Sequence, residues 1–233
     1  MYSSMTHHQY LQLMGIDVWL DRDRALTDTA ALQDRHVEIG EPANGDTESN
    51  DWRVLREQVT SCKKCNLHLG RKQTVFGVGD TSADWMVIGE APGAEEDRQG
   101  EPIVGRAGKL LNAMLMTIGL SRSQVFIANI LKCRPPNNRD PQAEEVSSCE
   151  NYLEQQITLL QPKIILCVGH IAAQNLLKAD TPIEKLRGQT YQYPGSNIPI
   201  VVTYHPAYLL RSPMEKRQAW DDLQLAQQIY QNS

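Results

Sequence analysis

Four of the five cysteines in this chain fall into two widely separated pairs, and no other feature constrains the fold so strongly. Cys62 and Cys65 form a C-x2-C. Cys133 and Cys149 follow after sixty-seven further residues, with fifteen residues between them. Four thiolates drawn from distant points of a chain usually hold a metal centre. Such a centre would tie residue 62 to residue 149 and make the chain between them one domain. Structural zinc sites favour two short knuckles, so a second C-x2-C would be expected. C-x15-C is a poor knuckle, whereas a [4Fe–4S] cube accepts thiolates at looser spacings. The spacing favours the cluster and leaves zinc as the alternative. No apolar signal segment opens the chain, so a reducing, cytoplasmic setting is expected and disulfides are disfavoured. Cys167 lies in the strand-like run KIILCVG and reads as a small buried hydrophobe.

The chain has 233 residues, 41% of them hydrophobic, enough for one well-buried domain and a tail. No stretch approaches the length of a membrane span. Charge is unevenly placed. Residues 1–50 hold nine acids against three arginines, a net −6, so residues 51–233 carry +1 of a chain total of −5. A local basic face is therefore compatible with an acidic chain, and KCRPPNNR, with Lys132, Arg134 and Arg139, is the candidate. Residues 1–50 read as an acidic N-terminal extension and linker, with a short amphipathic helix over 9–20 (QYLQLMGIDVWL). Residues 51–233 read as the folded domain, opening on a helix that runs into Cys62.

Four apolar, β-branched runs follow: WMVIG (85–89), VFIANI (125–130), IILCVG (164–169) and IPIVVTY (198–204). None alternates strictly, as expected for strands covered on both faces. Ala107, Leu110, Leu111, Met114, Leu115 and Ile118 recur at helical spacing. Asp140-Pro141 reads as the cap and first turn of a helix to about Leu160, and HIAAQNLLK (170–178) as another helix. Alternating strands and helices predict an α/β fold: a three-layer α/β/α sandwich with a central, mostly parallel four-stranded sheet.

Ligands of such sheets bind outside the carboxyl ends of the strands. That rule selects Gly89-Glu90-Ala91-Pro92-Gly93, the segment from Asn129 to Arg139, Gly169-His170 and His205-Pro206. Glu90 leaves its strand directly into a glycine–proline turn, at the mouth of the crevice. Glu95, Glu96 and Asp97 read instead as acids complementing a helix start. No serine or cysteine stands in a nucleophile elbow, and GEPIVGR lacks the lysine and hydroxyl of a phosphate-cradling loop. Asn129 offers a donor and an acceptor, which suits a base edge. Leu209 and Leu210 beside Arg211 suit a wedge entering a base stack.

GEAPG-x2-ED-x2-G-x-P-x-VGRAG, then N-x2-KCRPP-x-NR, then an HP turn, with the four cysteines, resembles the family 4 uracil-DNA glycosylases, the iron–sulfur members of their superfamily. The resemblance covers about residues 52–230. It implies that Cys62, Cys65, Cys133 and Cys149 ligate a structural [4Fe–4S] cluster. It implies that Glu90 positions or activates water, that Asn129 bonds the flipped uracil, and that His205 stabilises charge on uracil O2. Gly89, Ala91 and Pro92 would shape the pocket floor. Leu209, Leu210 and Arg211 would belong to the loop entering the DNA; Arg134 and Arg139 of the basic loop are read as further DNA contacts from their charge. Ile103 departs from the pattern, because the family commonly has a Phe there that stacks on uracil. A different base preference, or a non-catalytic iron–sulfur DNA-binding module, is the alternative. No basic KRRIH-like insertion follows GRAGK, so turnover is expected rather than a covalent trap. No lysine is placed as an amine nucleophile, so a monofunctional enzyme is expected, acting as a monomer on uracil-containing DNA.

Overall fold

The structure is a computed structural model that describes residues 50–232. In chain order its elements begin with α1 (Asn50–Ser61), β1 (Val78–Gly79), β2 (Trp85–Gly89), α2 (Ala94–Gln99), α3 (Gly105–Thr117), β3 (Val125–Asn129) and α4 (Ala143–Leu160). They continue with β4 (Ile164–Val168), α5 (His170–Leu177), α6 (Ile183–Leu186), β5 (Thr190–Gln192), β6 (Pro199–Thr203), α7 (Pro206–Arg211) and α8 (Lys216–Gln231).

The four apolar runs become β2, β3, β4 and β6, adjacent and parallel to one another. Every residue of β2, β3 and β4 is buried, as both-face coverage requires. The sheet is nevertheless six-stranded and mixed, in the order β1-β3-β2-β4-β6-β5, rather than four-stranded. β1 runs antiparallel to β3, and β5 antiparallel to β6. Neither edge strand carries an apolar run. Two residues are too few for a pattern, and Thr-Tyr-Gln at an edge needs no buried face on both sides.

Strand alternation shows that helices cover both faces. Trp85 and Val125 are paired in register, as are Met86 and Phe126, so Trp85 and Phe126 point to opposite faces. Trp85 meets Tyr230 of α8 at 5.3 Å between rings, while Phe126 meets Trp52 of α1 at 4.9 Å. Tyr230 also donates to Asp84 at 2.6 Å, which pins the end of α8 beside the start of β2.

One helix start differs from expectation. α4 begins at Ala143 with Gln142 as its cap, so Asp140-Pro141 lies outside it. Glu145 accepts from the Gln142 amide at 2.9 Å and from Arg139 at 2.6 and 2.9 Å. A carboxylate in the first turn fills the capping role, which leaves Asp140 to face elsewhere. The amphipathic segment at 9–20 lies outside the described residues. No described helix is long and apolar enough to cross a membrane.

β2 lies between β3 and β4, so the chain steps to opposite sides of it after β2 and after β3. Beyond the carboxyl ends at such a switch a crevice opens.

Candidate active site

That crevice is a cleft of about 930 Å³ whose walls include Glu90, Ala91, Ile103, Asp140, Gly169, Tyr204, His205, Tyr208 and Arg211. Asn129, the last residue of β3, lies against Gly89, close to Ile103 of the cleft wall. It is 1% exposed, yet neither its amide nitrogen nor its amide oxygen has a hydrogen-bond partner. Buried polar groups are nearly always paired; an amide left bare is poised for a ligand with both a donor and an acceptor. Gly89, its register partner, makes room for it. A Cβ at Gly89 would lie 2.6 Å from Asn129 Oδ1 and 3.3 Å from Ile103 Cδ1.

Ile103 completes this corner. It is buried and holds φ at 48°, a left-handed conformation that β-branched residues rarely adopt. Its neighbours impose it. Arg122 donates to Pro102 O at 2.6 Å and to Ile103 O at 3.2 Å. Glu96 accepts from Val104 N at 2.9 Å and from Gly93 N at 3.0 Å. Backbone strain held this firmly tends to mark a functional loop. Asp97 is buried and accepts from the Lys72 amide at 2.9 Å. Glu96 and Asp97 thus hold backbone, as their reading as structural acids expects.

Glu90 and His205 face the same cleft. The Glu90 carbonyl accepts from Leu131 N at 3.1 Å, which extends the β2–β3 pairing past the strand ends and fixes where its side chain emerges. Burial, reinforced by the charge of Asp140, pushes its carboxyl up to about 7. Burial, reinforced by Arg211, lowers His205 to about 4, so its ring is neutral at neutral pH. The Ala207 amide donates to His205 Nδ1 at 3.1 Å. With Nδ1 an acceptor, the ring proton sits on Nε2, and His205 presents a neutral N–H donor. Gly169, at φ 100°, lies under this ring; a Cβ there would come within 3.1 Å of His205 Cβ. Tyr208 stacks on Tyr204, with ring centroids 5.1 Å apart, along the same wall.

A second site lies behind β3. Cys62, Cys65, Cys133 and Cys149 line one small pocket together with Leu67, Leu131 and Tyr152, and none forms a disulfide. Backbone and side-chain donors point at the sulfurs. Arg71 donates to Cys133 Sγ at 3.0 Å, Lys132 N to Cys149 Sγ at 3.3 Å, and Lys64 N to Cys62 Sγ at 3.5 Å. Such donors suit thiolates. Burial, only partly offset by Lys132, pushes Cys149 up to about 11, so a bound cation is what would keep it deprotonated. Around a tetrahedral zinc, with Zn–S of about 2.3 Å, sulfurs sit within roughly 4 Å of one another. Among the described residues no three His, Cys, Asp or Glu side chains are grouped as a single-ion site. Cys167 is fully buried in β4, apart from this pocket.

The family model of the uracil DNA glycosylase superfamily matches residues 76–224. The chain is 45% identical over 175 residues to a type-4 uracil-DNA glycosylase of Archaeoglobus fulgidus, covering 72% of this chain and 87% of that one. It is 45% identical over 166 residues to a type-4 enzyme of Sulfurisphaera tokodaii, covering 68% and 76%. A type-4 enzyme of Pyrobaculum aerophilum is 44% identical over 179 residues, covering 74% and 91%. This chain belongs to the uracil-DNA glycosylase superfamily. Of the residues selected from the sequence, Glu90, Ala91, Ile103 and His205 line the cleft, Gly89 and Asn129 lie together beside Ile103, and Pro92 is buried in the adjoining turn.

Two DNA-contact expectations change in this superfamily member. Leu209 is fully buried in the core and cannot serve as a wedge; Leu210 is half-buried. This short helix turns Pro206 and Leu209, one turn apart, inward and exposes Tyr208 and Arg211, with Met214 87% exposed just beyond. Arg139 is paired bidentately with Glu145 rather than left free for phosphate. Arg134, half-exposed, donates to Asn138 Oδ1 at 2.7 Å. Sequence reasoning missed Asp140, Tyr204 and Tyr208 on the cleft wall, and Arg71 at the cysteines. In the sequence Asp140 reads as a helix cap and Tyr204 as a strand end; nothing near Arg71 signals a contact with Cys133, 62 residues away.

Proposed function

We propose that this chain is a monofunctional uracil-DNA glycosylase, which hydrolyses the N-glycosidic bond of a flipped uracil in DNA and leaves an abasic site. The unpartnered amide of Asn129 carries the reading. Uracil offers adjacent carbonyl and N–H groups on its Watson–Crick edge, complementary to an amide's donor and acceptor. Its flipped plane would lie against Ile103 and above Gly89. Bond cleavage builds positive charge on the sugar and negative charge on uracil O2. Glu90, once ionised, stabilises the sugar and takes a proton from the attacking water. His205, neutral, donates its Nε2–H toward O2, and being neutral it repels no approaching cation. Arg211, Arg134 and Tyr208 supply exposed contacts for phosphate and an unstacked base. We assign residues 51–233 to the catalytic domain and 1–50 to an acidic extension.

Cys62, Cys65, Cys133 and Cys149 would hold a [4Fe–4S] cluster. Bound there, the cluster supplies a covalent cross-link between distant segments rather than a reacting group. Incubation with a uracil-containing strand, followed by alkaline cleavage of abasic sites, tests the activity. A strand left intact, beside a strand cut by a known glycosylase, would mean that the chain binds without cutting.

Ile103→Phe is expected to raise the specificity constant for uracil by about five- to a hundredfold, since base–aromatic stacking is worth roughly 1–3 kcal/mol. Phe is also not β-branched, so it suits the left-handed backbone at 103 better, and the open cleft receives the ring. Single-turnover rates on one strand decide it. A slower Phe variant of unchanged thermal stability would mean a pocket built around Ile103 for another base. Removing residues 1–50 is expected to leave excision intact and to tighten DNA binding at low salt, because the segment carries −6. Loss of activity on truncation would make the segment integral to the enzyme.

A further inference from the structure

Tyr208 stands apart on α7. Leu209 turns into the core, whereas Tyr208 lines the cleft wall and stays 36% exposed. A ring left in water adds nothing to stability, yet this one is held firmly. It stacks on Tyr204, with centroids 5.1 Å and planes 28° apart. Tyr204 is buried and also receives the guanidinium of Arg187 over its ring, 5.1 Å from the centroid. Arg187 is fixed in turn, donating to both carboxyl oxygens of Asp222 at 3.0 Å and to Gln218 Oε1 at 2.8 Å. Asp222 and Gln218 belong to α8, so a chain of contacts anchors the exposed ring to the core. The Tyr208 amide donates to the His205 carbonyl at 2.9 Å, which ties the ring to the turn that carries His205. Arg211, one helical turn further on, is exposed beside it.

We propose that Tyr208 is a specificity-determining residue: its ring stacks on the base next to the flipped uracil, so that strands with a purine at that neighbour are preferred. The proposal rests on the glycosylase reading above and deepens it. Exposure decides which base the ring meets. Ile103 is 3% exposed, at the wall where a flipped base would lie, while Tyr208 stands open to solvent. The base that reaches Tyr208 is therefore one that stays outside the pocket. Flipping deprives each neighbouring base of a stacking partner, and an aromatic face at the rim replaces one of them. Purines present the larger face, so a context preference follows from stacking strength without any hydrogen bond to the neighbour. Arg211 suits the phosphate that joins the two nucleotides.

Steady-state KM and kcat of full-length wild type, Tyr208→Phe and Tyr208→Ala test this on single strands in which each neighbour of uracil is in turn adenine, thymine or a tetrahydrofuran abasic analogue. For wild type, KM is expected to rise about tenfold from adenine to the abasic analogue at one of the two neighbours, with thymine between and kcat changing less. Tyr208→Phe keeps the aromatic face and should keep that dependence. Tyr208→Ala should raise KM about tenfold on the adenine strand and match wild type on the abasic one, a pattern that a merely structural role would not give. A Tyr208→Ala penalty that is the same for all three neighbours, on both sides of uracil, overturns the proposal, since the ring would then act on uracil itself or on the fold. The absence of any penalty overturns it equally. If Tyr208→Ala does not fold, Tyr208→Leu, which fills the space without an aromatic face, is read in the same way. A wild type that releases no uracil from any strand overturns the glycosylase reading beneath, and is seen before any variant is compared.

Discussion

Glu90→Gln is expected to slow single-turnover uracil release by about a hundredfold or more, as removal of one electrostatic stabiliser often does, while leaving DNA binding intact. The amide keeps the shape of the side chain but loses the charge and the proton acceptor. pH gives a second test. Burial and Asp140 raise the Glu90 carboxyl to about 7, and its ionised form does the work. The wild-type rate should therefore climb through pH 7 and then level. His205 adds no limb in that range, because burial keeps it neutral until about pH 4. A rate already level between pH 5.5 and 8 in the wild type would remove Glu90 from the ionising step. Stability should move the other way. A carboxyl raised on folding favours the folded state at low pH, and that contribution is lost as pH rises through about 7. Glu90→Gln should thus be more stable than wild type at pH 8, by about 1–2 kcal/mol once solvent access is allowed for, and no more stable at pH 4. His205→Ala is expected to cost a similar factor in rate, read in the same assay, since the neutral Nε2–H donor is lost.

Cys133→Ala is expected to abolish the cluster and much of the fold's stability together. Wild-type protein should be yellow-brown and carry about four irons per chain; the variant should be colourless. Cys62 and Cys65 follow α1, Cys133 follows β3, and Cys149 lies inside α4, so a shared group ties the start of the domain to its middle. Binding energy of a group that does not bind the unfolded chain is folding energy. Loss of several kcal/mol, seen as a thermal transition lowered by tens of degrees or as insoluble protein, is the expected readout. A colourless wild type holding one zinc per chain would overturn the cluster.

The sequence by itself determined a good deal here. Four short β-branched runs without alternation read as strands buried on both faces, and they form β2, β3, β4 and β6, parallel as expected. The carboxyl-end rule, which depends on chain direction alone, selects Glu90 and His205, which line the cleft, and Asn129 at the end of β3 beside it. The spacing of the four cysteines pointed to one shared pocket. Tertiary structure decided the rest, and for physical reasons. Edge strands β1 and β5 form because β3 and β6 have backbone groups left to pair, and their own residues carry little signal. Leu209 reads as an exposed wedge until the turn of α7 points it into the core. Arg139 reads as a phosphate ligand until Glu145, six residues on, is brought to it by the start of α4. The neutral state of His205, the raised carboxyl of Glu90 and the stack of Tyr208 on Tyr204 all depend on burial and on partners that only the folded chain brings together.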